Sequence, residues 1–232
     1  MAAVPSVDAM VTAPLKCVPD GTHKPTARRT PLHKPLHTPL LTPLHSSPVA
    51  STAVPERIRR AVAALDVRPA DRLLEIGCGG GGAVALVCPL LTTGTITAVD
   101  RSATATSRAV RRNEGAIRDG RATIATAAFT ESGLTAAGIS GRRFDKIFAI
   151  NVNLFWTGPA RAELALAADL LAPGGALYAF YEPPGDRLAE LAAKVSGTFA
   201  AGGFTTEVLH AAPVVGIVGR PLRPRRSPGR RP

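Results

Sequence analysis

Residues 73–82 read LLEIGCGGGG, an apolar run broken by one carboxylate, Glu75, and closed by a loop that is nearly all glycine. Gly77, Gly79 and Gly82 satisfy the pattern G-x-G-x-x-G, while Gly77, Gly79 and Gly81 satisfy G-x-G-x-G. Either spacing permits a sharp turn at positive φ and lets a ligand come close to the backbone. The helix expected next begins with N–H groups that have no intrahelical partner. The loop alone fits two kinds of nucleotide site, and it also fits a tight strand-to-helix turn that binds nothing.

Working outward, PERIRRAVAALDVRP predicts a short amphipathic helix with Ile58, Val62 and Leu65 on its apolar face and Pro69 beyond its end. DRLLEIGC predicts a buried strand, AVALVCPLL a helix with Pro89 tolerated near its end or kinking it, and GTITAVD a second strand. SATATSRAVRRNEGAIRDG predicts one helix capped by Ser102. RATIATAAF and FDKIFAINVN predict the third and fourth strands, and GPARAELALAADLLAPGG a helix with proline at its start and glycine past its end. ALYAFYE predicts the fifth strand and GDRLAELAAKVSGTFAAGG the last helix. The alternation implies parallel strands joined by helical crossovers, with helices on both faces of the sheet. FTTEVLH and PVVGIVG break the rule. Only Ala211 and Ala212 separate them, too few for a crossover, so they must run antiparallel.

The foldable part is 54–219. Residues 1–53 hold a four-residue repeat (TPLH, KPLH, TPLL, TPLH) whose prolines rule out a regular helix, and the segment is expected to be a disordered arm. A metal tract at His33, His37 and His45 is the sharper alternative. Residues 220–232 are expected to be a basic Pro/Arg tail. The net charge of +11 sits mainly in these ends: residues 1–50 contribute +3 and 220–232 contribute +6, leaving +2 for the middle. A near-neutral middle argues against sequence-specific nucleic-acid binding. The absence of a long apolar run argues against a membrane span. Cys17, Cys78 and Cys88 form no metal spacing and cannot all pair, which favours a reducing, cytoplasmic setting.

Two residues beside the loop bear on the choice of ligand. A dinucleotide site aims its helix N-terminus at a pyrophosphate, which a carboxylate at Glu75 would repel. S-adenosylmethionine carries a sulfonium and an ammonium instead, and both welcome that carboxylate. A loop-bracing acceptor is the plainer role for Glu75. Asp100 ends TAVD some twenty residues after the loop, where it can accept both hydroxyls of a ribose in either kind of site. It could equally be a helix cap.

LLEIGCGGG, TAVD, FDKIFAINV and LLAPGGALYAF occur in the order and spacing of the class I S-adenosylmethionine-dependent methyltransferases, which residues 55–219 resemble. The resemblance implies an α/β, Rossmann-like, doubly wound seven-stranded sheet of order 3-2-1-4-5-7-6 with the last strand antiparallel. It also implies that Glu75, Gly77, Cys78, Gly79 and Gly81 surround the methionine part of S-adenosyl-L-methionine. Asp100 would hold the ribose, and Arg101 would lie beside the adenine. The chain departs from the family after the third strand: Ala127, Ala128 and Phe129 stand where many relatives carry a carboxylate for the adenine amino group. Backbone groups near Ala128, with Phe129 against the ring, are the expected substitutes, and Glu131 is another.

Methyl transfer from a sulfonium is an in-line displacement on an activated donor, so it needs positioning and dryness and neither metal nor covalent intermediate. Ligands sit beyond the carboxyl ends of the parallel strands. That places Asn151, Asn153, Phe155 and Trp156 after the fourth strand, and Tyr181 and Glu182 after the fifth, on the acceptor side. Asn151 is expected to contact donor or acceptor, and Glu182 is the best-placed general base. The signatures of amino-adenine and cytosine-5 enzymes are absent. A small-molecule acceptor is therefore the first expectation. A non-catalytic S-adenosylmethionine-binding module and an NAD-dependent oxidoreductase are the alternatives.

Overall fold

The computed structural model describes residues 53–182, 185 and 187–222. The proline repeat with His33, His37 and His45, and the tail from 223 onward, lie outside the described residues. In chain order the elements are α1 (Glu56–Ala64), β1 (Arg72–Ile76), α2 (Gly82–Val87), β2 (Thr95–Asp100), α3 (Ala103–Arg112), α4 (Glu114–Arg118), β3 (Ala122–Thr126), α5 (Glu131–Ala136), β4 (Phe144–Ile150), α6 (Arg161–Leu170), β5 (Leu171–Tyr181), α7 (Leu188–Ala201), β6 (Phe204–Ala211) and β7 (Val214–Pro221). The seven strands form one sheet in the order β3-β2-β1-β4-β5-β7-β6. The first five are parallel, and β7 runs antiparallel to both β5 and β6. This is the order and the antiparallel insertion expected from the sequence.

Strand alternation divides the core. Leu74, Ile76, Ile147, Leu177 and Ala179 pack on one face with Leu134 of α5, Leu164 of α6 and Phe199 of α7. Leu73, Ile96, Ala98, Phe148 and Phe180 pack on the other with Val62 of α1, Val84 of α2 and Ala109 of α3. Both faces are covered, as a largely parallel sheet requires. Among the described residues no helix is long and apolar enough to cross a membrane.

Several elements differ from expectation, each for a local reason. The helix expected over 102–120 breaks into α3 and α4 at Asn113. Its side-chain Nδ2 turns back to donate to Ala109 O at 2.8 Å and to Gly81 O at 3.1 Å. Ser102 caps α3 as expected, accepting from Ala105 N. The helix after the glycine loop is short, and Cys88–Leu90 continue it as a single 3₁₀ turn around Pro89. Helix α5 was not expected; Thr130 caps it through Oγ1, which accepts from Gly133 N at 3.1 Å. Strand β5 begins at Leu171 instead of Ala176, because Leu171 pairs with Phe144 before a register shift brings Ala176 opposite Lys146. Strand β7 runs to Pro221, so Arg220 and Pro221 belong to the ladder and not to the tail.

Candidate functional site

The carboxyl ends of β1, β2 and β4 meet around the glycine loop. Gly77 N and Cys78 N both donate to Val99 O, at 2.8 and 3.0 Å, which ties the loop to β2. Asp100, the last residue of β2, holds it from the side. Its Oδ2 accepts from Gly79 N at 2.9 Å and its Oδ1 from Ser102 N at 2.9 Å. Asn113 fixes the far end through Gly81 O. The sequence reading missed Asn113; an asparagine in the middle of a polar-faced helix was the available signal.

Gly77, Gly79 and Gly81 all have positive φ, at 72°, 53° and 72°. Their surroundings differ. A Cβ on Gly77 would lie 2.6 Å from Val152 Cγ2, and one on Gly81 would lie 2.5 Å from Asn113 Nδ2. A Cβ on Gly79 would meet nothing within 4 Å. Gly77 and Gly81 thus serve packing within the protein, whereas Gly79 leaves backbone bare toward open space.

Glu75 lies in β1 on the same face as Leu73, directly below this loop, and is 3% exposed. Its Oε2 has no hydrogen-bond partner among the described residues. Burial first, and the charge of Asp100 second, push its carboxyl up to about 8. The arrangement is costly unless a positive group arrives. The loop-bracing role considered for Glu75 has no bond to Oε2 behind it. Cys78 is buried beside it, and burial together with the two carboxylates pushes its thiol up to about 12, so no thiolate nucleophile is present near neutral pH.

Toward β3, Arg101 is exposed next to Asp100, and Ala127 N donates to Asp100 O at 3.0 Å. Ala128 is exposed at this edge. Phe129, expected against an adenine ring, is instead buried in the core with Leu134 and Ile139.

Beyond β4 and β5, Asn151 adopts φ 54°, and its Oδ1 accepts from Glu182 N at 2.9 Å, joining the two strand ends. Asn151, Asn153, Trp156, Tyr181, Glu182 and Lys194 line a pocket of about 240 Å³. The structure therefore brings together most of the acceptor-side residues expected from sequence. Phe155 is the exception, being fully buried edge-to-face on Phe199 at 5.3 Å. His210 lies on β6 and does not line this pocket. A larger groove of about 1140 Å³ runs past Leu134, Leu166 and Gly174. It contains neither the glycine loop nor the ends of β1 and β2.

Residues 74–177, from β1 into β5, match the family described as a methyltransferase domain. Among solved structures, an O-methyltransferase family protein from Burkholderia thailandensis is 17% identical with TM-score 0.56, covering 72% of this chain and 55% of its own. This chain thus spans little more than half the length of that relative. A magnesium protoporphyrin IX methyltransferase from Synechocystis, solved with S-adenosylmethionine bound, is 17% identical with TM-score 0.52, covering 70% of this chain and 78% of its own. A mitomycin 7-O-methyltransferase is 16% identical with TM-score 0.55, covering 72% of this chain and 53% of its own. No curated protein matches the chain in sequence.

Proposed function

We propose that the chain, whose residues 74–177 match a methyltransferase-domain family and whose fold is that of solved methyltransferases, is a class I S-adenosylmethionine-dependent methyltransferase that moves a methyl group from S-adenosylmethionine to a small-molecule acceptor. One observation carries the reading: a buried carboxylate, Glu75, whose Oε2 has no partner among the described residues, beneath a glycine loop and beside a second carboxylate. A cation at that point relieves both the desolvation and the repulsion. A diphosphate would worsen them, and this disfavours the nicotinamide alternative.

When bound, S-adenosylmethionine supplies an electrophilic methyl carbon on a sulfonium. The residues of the chain have separate tasks. Glu75 ionises against the amino-acid ammonium, while Gly77, Cys78 and Gly81 hold the loop so that Gly79 can present bare backbone. Asp100 uses one lone pair of each oxygen on the loop and on Ser102. The remaining lone pairs can accept the ribose hydroxyls. Arg101 and the backbone at Ala128 border the adenine. Phe129 contributes by backing that edge from within the core.

On the acceptor side, Asn151 holds the ends of β4 and β5 at a fixed separation, and Glu182 receives the proton that the acceptor atom gives up. Arg57 stands 3.8 Å from Glu182. Calorimetric titration of the folded protein with S-adenosylhomocysteine tests the cofactor reading, and absence of binding would end it. Stabilisation by NAD and not by S-adenosylhomocysteine, in a thermal-shift comparison, would reverse the choice. Methyl transfer to any acceptor in a metabolite screen separates an enzyme from a non-catalytic binding module.

A further inference from the structure

The acceptor pocket carries three groups that the tasks above leave unused. Tyr181, at the end of β5, is 4% exposed, and its hydroxyl has no hydrogen-bond partner among the described residues. Burial raises its phenol above the ordinary tyrosine range, which keeps it a neutral O–H donor. A buried donor left without an acceptor is unfavourable, and an oxygen on a bound molecule would satisfy it. Trp156 supplies a half-buried aromatic wall, and Lys194 Nζ stands 5.8 Å from the centroid of its ring.

The pocket lining carries Glu182 and Glu190 against Arg187 and Lys194, and Arg57, which stands outside the lining, adds a third base. Arg187 and Glu190 hold each other through bonds of 3.1 and 3.3 Å, and Glu182 faces Arg57 at 3.8 Å. Lys194 has no carboxylate within ion-pair distance among the described residues, although Glu190 feels its charge after that of Arg187. With Glu182 facing Arg57 and Glu190 facing Arg187, the exposed Lys194 ammonium is the base without a carboxylate of its own, beside an aromatic plate and a buried phenol. A space of about 240 Å³ corresponds to some eight waters at roughly 30 Å³ each, the scale of one six-membered ring with a carboxylate.

We propose that the methyl acceptor is a single-ring aromatic carboxylate. Its ring lies against Trp156, its carboxylate pairs with Lys194, and an oxygen substituent on the ring accepts from the Tyr181 hydroxyl. The inference rests on the methyl-transfer reading, since it names the acceptor for that same site. Planarity selects for Trp156, negative charge for Lys194, and a second oxygen for Tyr181.

Trp156 is the only tryptophan of the chain, so its emission reports the pocket directly. The full chain, with and without saturating S-adenosylhomocysteine, is titrated with para-hydroxybenzoate, its neutral amide para-hydroxybenzamide, and the non-planar para-hydroxycyclohexanecarboxylate. The expected order is para-hydroxybenzoate tightest, with a change in Trp156 emission. Lys194→Met should weaken para-hydroxybenzoate on the order of tenfold and leave para-hydroxybenzamide unchanged. Tyr181→Phe should weaken both aromatic probes. Binding of S-adenosylhomocysteine is measured separately on each variant, which confirms folding and keeps the two readings apart. If S-adenosylhomocysteine binds but para-hydroxybenzoate does not, or binds no better than the cyclohexane acid, the acceptor assignment falls alone. It also falls if Lys194→Met binds para-hydroxybenzoate as tightly as the wild type. If S-adenosylhomocysteine itself does not bind, the methyl-transfer reading falls first.

Discussion

Replacing Glu75 by glutamine should make the unliganded protein more stable while damaging its site. In the folded chain the Glu75 carboxyl is pushed from 4.5 to about 8, by burial and then by Asp100. The folded state therefore binds more protons than the unfolded state between those two values. Stability must fall as pH rises through that window, by up to about 1.4 kcal/mol per pH unit. At pH 7 the accumulated loss is roughly 3 kcal/mol, and Glu75→Gln removes it, less whatever its amide loses by lacking partners. Asp145 has the opposite sign. Its bond from Arg72 holds it below the usual carboxylate range, so its contribution is lost only in acid and does not interfere above pH 5. Urea unfolding at pH 5, 7 and 8.5 is the assay: the wild type should lose stability across the series, and Glu75→Gln should stay nearly flat. Calorimetry should show S-adenosylhomocysteine binding weakened roughly 10- to 100-fold in the variant, the worth of one charge-assisted hydrogen bond. Equal pH slopes for the two proteins, or a glutamine variant that binds as tightly as the wild type, would refute the reasoning.

Asn113→Ala leaves Gly81 O without its buried donor; it should cost about 1–3 kcal/mol in unfolding free energy and weaken S-adenosylhomocysteine with no change at the acceptor pocket. Gly81→Ala should be worse, about 2–3 kcal/mol or more, because φ is +72° and the new Cβ would stand 2.5 Å from Asn113 Nδ2. Gly79→Ala meets no neighbour within 4 Å, so urea unfolding should show a smaller loss and calorimetry the larger effect. Glu182→Gln should lower kcat by about 100-fold or more, with cofactor affinity kept, as steady-state kinetics and calorimetry would show. A chain starting at Val54 should bind S-adenosylhomocysteine as tightly as the full chain; lost affinity would make residues 1–53 part of the site.

The strand order was legible through the family resemblance that the motifs carry, while two local facts, alternation of strand and helix through β5 and a connection of two residues before β7, gave only which strands run parallel and which antiparallel. The break at Asn113 was not legible, because it depends on a contact with Gly81, thirty-two positions away. The start of β5 was hidden for a similar reason: LLAPGG looks like a helix stop followed by a turn, yet Leu171 finds a ladder partner in Phe144. Phe129 and Phe155 show the same limit at the site. Position after a strand end brought both aromatics to the ligand side, but each sits on the face where α5 or α7 covers the sheet and is drawn into the core. Trp156, one residue on from Phe155, escapes that fate and lines the pocket.

Asp100 and Glu75 teach different things about reading a carboxylate. Asp100 was open to two roles in the sequence, ribose acceptor or cap, and its bonds to Gly79 N and Ser102 N are compatible with both at once. A residue that braces a loop in the empty protein has reason to be there whatever ligand comes, so it cannot discriminate among nucleosides. Glu75 lacks that excuse. Its Oε2 is unpartnered among the described residues, the charge of Asp100 raises its pKa further, and ionising it lowers the stability of the fold at neutral pH. A glutamine or an apolar residue would serve β1 better, so the carboxylate makes physical sense only with a positive charge brought close to it. The cost of that one side chain, and not the glycine pattern above it, is what separates a cationic amino-acid ligand from a diphosphate.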